Sequence, residues 1–305
     1  MMLPVPFRQG SHQFNVAGRT AFITGAARGI GAGIAERLHS RGANVALVGL
    51  EPERLEALAE RLGDRTACFE ADVTDFDALD RAVRGTIDRF GGIDIAIANA
   101  GIFLPGTLAT APIAHVERVL AVNLLGVWRT DRAVVRHVVD RRGYLLNIAS
   151  MSAIMNIPVM GPYTTAKAGV EALTNVLRME LRPSGARVGC AYFGLVDTDL
   201  MRANYTLPSL RTMMSARMPK FLRSPAPIGT AIDAVEKGIE KRSARIWSPR
   251  VLGPMIGLRG VVQPLSEWLV DLDKDRLSET MRLAESPSEH ENQDPILGLA
   301  ARVIQ

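Results

Sequence analysis

Only two cysteines, Cys68 and Cys190, occur in the 305 residues of the chain. Two such residues build no disulfide framework, and a chain of this length needs none to hold a core. Both lie in apolar runs, "TACFEADV" and "RVGCAYFG", and read as reduced core thiols of an intracellular, cytoplasmic protein. A run of about 18 apolar residues, as a membrane-spanning helix requires, is also missing. The nearest approach, "VLGPMIGLRGVVQPL" at 251–265, is broken by Pro254, Arg259 and Pro264. The first residues show no charged, apolar and small-residue order of a secretory signal, so 1–15 reads as a loose arm. Charge of one sign has little excess: 36 Lys and Arg stand against 32 Asp and Glu, a net charge of +4. The two signs are interspersed over most of the chain, which excludes a nucleic-acid binder of the usual basic kind. No internal repeat is present, and no metal-ligand set stands out.

What fills the chain is an alternation. The runs "RTAFITG" (19–25), "NVALVG" (44–49), "TACFEA" (66–71), "DIAIANA" (94–100), "YLLNIAS" (144–150) and "RVGCAYF" (187–193) are apolar almost throughout. Strands covered on both faces read this way, so a parallel sheet flanked by helices is expected. "SARIWSP" (243–249) offers a seventh strand. Between them lie helix-period stretches, several of which stop at glycine as helix C-caps do. The expectation is a doubly wound α/β domain over 16–252 with a C-terminal extension, 253–305, whose end "AESPSEHENQDP" is polar.

"TGAARGIGAGIAERL" (24–38) follows the first strand and opens a helix. Gly25, Gly29 and Gly31 allow a tight turn and a close backbone approach to a pyrophosphate, whose charge meets the helix N-terminus. Tyr163 and Lys167 are four apart at the start of another helix, and so share one face. A phenol titrates near ~10, and a neighbouring ammonium lowers that value, which makes the pair an acid/base unit. Ser150 ends the fifth strand, where a hydroxyl can steady charge on a substrate oxygen. Ser152 is a nearby competitor, and Asn123 is either functional or a polar group satisfied inside a helix.

The sequence resembles the classical short-chain dehydrogenase/reductase family. The resemblance rests on "TGAARGIG", "NAG" (99–101), Asn123 in "AVNLLG", Ser150 and "YTTAK" (163–167), in order and at matching spacing over roughly 15–250. It implies a Rossmann-type domain binding NAD or NADP. Ser150, Tyr163, Lys167 and Asn123 would then be catalytic, with Asn123 holding a water that relays protons to the lysine. The cofactor would be held by Gly25, Arg28, Gly29, Ile30, Gly31, Asp72, Val73, Asn99, Ala100, Gly101, Tyr163, Lys167, Val196 and Thr198. After the sixth strand the family usually has proline where this chain has Phe193, while Gly194, Val196 and Thr198 are kept.

The resemblance also implies hydride transfer between a nicotinamide ring and a carbon bearing hydroxyl or carbonyl, and a homotetramer or homodimer. It puts a substrate loop at about 199–230, where methionines and leucines suggest a hydrophobic, steroid-like or lipid-like alcohol or ketone. From Leu200 to Ile232 the chain has no acid but five basic residues, Arg202, Arg211, Arg217, Lys220 and Arg223. These leave three readings open: a solvated face, a dock for an acidic substrate group, or contact with an anionic membrane surface. An epimerase or dehydratase on the same scaffold, and a non-catalytic dinucleotide sensor, are the alternative functions.

An acid is missing where the cofactor choice would be made. The second strand ends in Gly49 and Leu50, where the family carries an acid for NAD or a base for NADP. Arg28 could reach a 2′-phosphate. Glu51 could reach the ribose and repel that phosphate, although an acid before Pro52 also suits a helix start. The balance falls to NAD.

Overall fold

The computed structural model describes residues 13–204, 206–214 and 224–286. Seven parallel strands form one sheet: β1 (Thr20–Thr24), β2 (Asn44–Gly49), β3 (Thr66–Glu70), β4 (Ile95–Ala98), β5 (Tyr144–Ile148), β6 (Arg187–Phe193) and β7 (Arg245–Ser248). Their order is β3-β2-β1-β4-β5-β6-β7, so the chain reverses direction of travel between β1 and β4. Crevices for ligands open at such a switch point, beyond the carboxyl ends of the strands. The expected α/β fold, including the seventh strand, is present.

The apolar strands are buried by helices on both faces. One face carries α1 (Gly29–Ser40), α2 (Pro52–Leu62) and α9 (Ile228–Glu240), with Ile34, Leu38, Leu55 and Val235 packed on Ile23, Leu47 and Ile97. The other carries α3 (Phe76–Phe90), α5 (Gly126–Asp140) and α6 (Gly161–Glu180), with Val83, Val134 and Leu177 packed around Phe22, Val48 and Leu145. Each buried side chain of this size contributes about 1.5–3 kcal/mol. Local signals fix the helix ends. Asp75 accepts a hydrogen bond from the Ala78 amide at the start of α3, and Gly91 ends that helix at φ 79.

Several expectations need correction. Cys190 is buried, but Cys68 is only partly so, because β3 is an edge strand with solvent along one side. Phe14, assigned above to a loose arm, is buried, its amide bonded to the Glu240 carbonyl and its ring under the Arg19 guanidinium at 4.0 Å. The stretch after β7 forms α10 (Leu252–Gly257), α11 (Arg259–Asp271) and α12 (Lys274–Ala284). In α11 the apolar residues Val261, Leu265 and Trp268 stay exposed; the helix is held by Val262, which packs on the core, and by the contacts of Arg259 with Glu171 at 3.0 Å and of the Asn156 amide with Gln263 at 2.8 Å. The polar end beyond residue 286 lies outside the described residues.

Candidate active site

The phosphate loop is shaped by what has no room. Gly25 has φ +65, and a Cβ there would lie 2.8 Å from the Ala100 Cα. A Cβ on Gly31 would run into the Gly25 carbonyl oxygen and lie 2.6 Å from the Asn99 Nδ2. Only glycine tolerates both conditions without displacing backbone. Asn99 locks the turn: its Nδ2 donates to the carbonyls of Thr24 (3.0 Å) and Gly25 (3.2 Å). The Thr24 hydroxyl accepts from the amides of Asn99 (3.1 Å) and Ala100 (3.2 Å). Thr24 was missed in the sequence, although it stands directly before Gly25. Gly29 opens α1 and sits beside Thr198, whose methyl would be 3.9 Å from an added Cβ; Ile30 packs back onto the core. The loop fits a dinucleotide: its backbone turns tightly where α1 begins and offers a helix N-terminus to a pyrophosphate.

At the end of β2, Arg28 and Glu51 meet. Arg28 Nε lies 3.4 Å from one Glu51 oxygen, and Arg54 Nε lies 3.7 Å from the other. Two residues read as rivals for the cofactor are thus partners of each other. Beyond β3, the Asp72 carboxylate accepts from the Thr74 amide at 2.7 Å and pairs with Arg118 at 3.2 Å, while Val73 is buried against Gly126. Val196 pairs with Ala226, and the Thr198 hydroxyl caps α7 (Asp199–Asn204) by accepting from the Met201 amide at 3.3 Å.

The remaining candidates converge around Tyr163. Ser150 follows β5 in extended conformation; its hydroxyl accepts from the Ser152 amide at 3.2 Å and reaches the Phe193 carbonyl at 3.4 Å. Its hydroxyl also acts on the Tyr163 phenol, which it draws downward. Burial pushes that phenol up, and Ser150 opposes the shift. The expected lowering by Lys167 is not found: the phenol is raised, and Lys167 is not among the causes of its shift. Lys167 is itself buried, donates to the Ile148 carbonyl at 2.8 Å and stands 5.6 Å from the centre of the Tyr163 ring. Burial brings its ammonium down to about 8. As an acid/base pair the two groups would titrate together. Oxidation of an alcohol needs that unit deprotonated, so kcat/KM for oxidation should rise with pH through about 8. In Lys167→Arg the cation stays charged, and a pH–rate profile should lose that inflection; an unchanged profile would remove Lys167 from the proton path.

Asn123 lies in one widened π-helical turn, Ala121–Leu125, between α4 (Ile113–Leu120) and α5. Such turns cluster at functional sites. Both ends of its side chain are bonded to Ile102: Oδ1 accepts from the amide at 2.8 Å, and Nδ2 donates to the carbonyl at 2.7 Å. A Cβ on neighbouring Gly101 would be 3.1 Å from Asn123 Oδ1 and 3.8 Å from Lys167 Nζ. The side chain of Asn123 therefore pins the end of the 99–102 segment beside the lysine.

The open side of Tyr163 is apolar. Phe103, which carried no signal in the sequence, packs edge-on to the Tyr163 ring with centroids 5.0 Å apart. Val159 and Leu207 belong to the same cluster, as do Leu210 and Met213 of α8 (Pro208–Met214). Val159 holds φ 58, unfavourable for a branched residue, and its carbonyl accepts from the Gly106 amide at 2.7 Å. Ser152 is buried with no partner for its hydroxyl among the described residues. One expectation for the 199–230 segment is overturned. Arg202 is not unopposed, since it pairs with Asp197 at 2.8 Å and Asp199 at 3.5 Å. Arg211 is exposed, and Arg217, Lys220 and Arg223 lie outside the described residues. No group of three metal-binding side chains occurs among the described residues, and no described helix is long and apolar enough to cross a membrane.

Residues 19–206 match the family model for short chain dehydrogenases. The chain belongs to the short-chain dehydrogenase/reductase family. Members are oxidoreductases of CH–OH groups that use NAD or NADP, and this chain is such an enzyme. It is 33% identical over 226 residues to a 2-(R)-hydroxypropyl-CoM dehydrogenase of Xanthobacter autotrophicus, covering 72% of this chain and 88% of that protein. It is 34% identical to a 3-alpha-(or 20-beta)-hydroxysteroid dehydrogenase of Mycobacterium tuberculosis, over 60% of this chain and 71% of that one. The fold is also that of a short-chain dehydrogenase/reductase from Burkholderia phymatum solved in complex with NAD. That structure has a TM-score of 0.70 at 23% identity, covering 81% of this chain and 94% of the other.

Proposed function

We propose that this dehydrogenase interconverts a hydrophobic secondary alcohol and its ketone, with Tyr163 exchanging the hydroxyl proton. The observation that carries the reading is the Tyr163 phenol itself. It is drawn downward by Ser150, has Lys167 above its ring, and packs against an apolar cluster headed by Phe103. Ser150 holds the substrate oxygen as charge develops on it. Lys167 carries the proton onward. Asn123 keeps the 99–102 segment beside Lys167. Bound NAD(P) supplies or accepts the hydride. The 3-alpha-(or 20-beta)-hydroxysteroid dehydrogenase named above acts, by its name, on a bulky apolar alcohol, which agrees with the apolar cluster. The test is a panel of apolar and polar alcohols and ketones followed by nicotinamide absorbance. Turnover of polar substrates alone would refute the proposed class.

NAD is the proposed cofactor. Glu51 offers an acceptor to a ribose hydroxyl, and its charge already engages Arg28 and Arg54, the cations a 2′-phosphate would need. Glu51→Gln should improve NADPH binding relative to NADH about two- to fivefold, as removal of one partly exposed charge allows. Fluorescence titration of both dinucleotides measures the ratio, and tighter NADPH binding by the wild type would reverse the assignment. Leu125 and Trp128 at the start of α5, with Val176 and Met179 on α6, are exposed and support a homo-oligomer built on these helices.

A further inference from the structure

The substrate site has a wall that the family match does not reach. That match ends at residue 206, whereas α12 spans Lys274–Ala284. α12 lies against α8, and its inward positions are Leu277, Thr280, Met281 and Ala284, spaced three and four apart as one helical face. Its charged residues are turned to solvent, where Arg282 pairs with Glu279 at 2.7 Å. Ala284 is buried in the same apolar cluster as Phe103, Leu210 and Met213, and Met281 packs against that cluster together with the Tyr163 ring. Just past the helix, Glu285 accepts from the Thr110 hydroxyl at 3.3 Å. α12 is thereby fixed to both segments that flank Tyr163, the one after β4 and the one after β6.

We infer that α12 forms the distal wall of the substrate site and that Met281 sets the size of the hydrocarbon group accepted beyond the reacting carbon. The inference rests on the proposed apolar alcohol or ketone substrate. Methionine suits such a gauge, because its unbranched, polarizable chain reshapes to fill irregular apolar space. It touches the cluster around the acid/base residue without being part of the proton path. Its effect therefore falls on which substrates fit, and leaves the chemistry applied to them unchanged. One methylene more or less in an apolar pocket changes discrimination at least about tenfold, so a single side chain at this position is enough to set a length limit.

The test uses straight-chain methyl ketones of increasing length with the full-length protein. Kd is measured by calorimetry in the presence of NAD+, and KM and kcat with NADH. Met281→Ala should bind and reduce the longest ketones about tenfold better than the wild type. Its kcat on the shortest ketone, its pH–rate profile and its affinity for NADH should not change. Met281→Trp should do the reverse, losing the longer ketones first. Met281→Leu, which keeps the volume, should reproduce the wild-type series and serves if the alanine variant fails to fold together with Met281→Trp. A wild type that discriminates by length, with variants that all shift every ketone equally or not at all, would overturn the role of Met281. A wild type that neither binds nor reduces any ketone would overturn the substrate class, and the inference with it.

Discussion

Tyr163→Phe is expected to bind NADH as the wild type does and to turn over alcohols about 10²- to 10⁴-fold more slowly, the usual contribution of a positioned acid/base. The substitution removes one oxygen and nothing else. The ring keeps its edge-on contact with Phe103 at 5.0 Å, and Lys167 keeps its bond to the Ile148 carbonyl, so the site does not collapse. What disappears is the phenol oxygen that would exchange the proton. Ser150→Ala makes a useful comparison. It leaves the phenol but removes the hydroxyl that opposes its upward shift, and should therefore lower the rate while moving the pH profile upward. Turnover at the wild-type rate in Tyr163→Phe, with cofactor bound, would sink the mechanism.

Gly31→Ala is expected to weaken dinucleotide binding about tenfold to a hundredfold, in line with the 1–3 kcal/mol of an overpacked site. The added methyl would meet the Gly25 carbonyl oxygen, lie 2.9 Å from its carbon and 2.6 Å from Asn99 Nδ2. None of these atoms is the loose end of a flexible side chain. Asn99 Nδ2 is held by two carbonyls of the very turn that must move, so relief at one point breaks a bond at another. Titration of NADH fluorescence measures the loss, and thermal unfolding without cofactor shows how much of it is general strain. Wild-type affinity in this variant would mean that the loop is not the cradle.

The fold was legible in the sequence because its strands are buried on both sides, and burial writes continuous apolar runs. The two edge strands were the exceptions, β7 with alternating burial and β3 with the more deceptive sequence. Its run looks like the others, yet it lies at the sheet edge, and nothing local to residues 66–70 distinguishes an edge from a centre. The candidate site was legible where chemistry depends on spacing, as with Tyr163 and Lys167 on one helical face. It was illegible where neighbours arrive from far along the chain. Phe103, just after β4, and Met281, in the C-terminal extension, reach the cluster around Tyr163 from places far apart in the chain. Arg28 and Glu51 were competing signals in the sequence, and only folding turns the two side chains toward each other. Arg202 seemed unopposed because the acid-free window begins at Leu200, one residue after the nearer of its two partners.

The bond between Glu171 and Arg259 bears on how the protein is made. Glu171 is buried on α6 one turn past Lys167, and its cation is translated 88 residues later. While the ribosome works through the intervening chain, the catalytic helix carries a carboxylate with its arginine still missing. A buried charge without its partner weakens whatever holds it. Chains cut short before Arg259 are therefore expected to hold α6 less firmly than the full chain does.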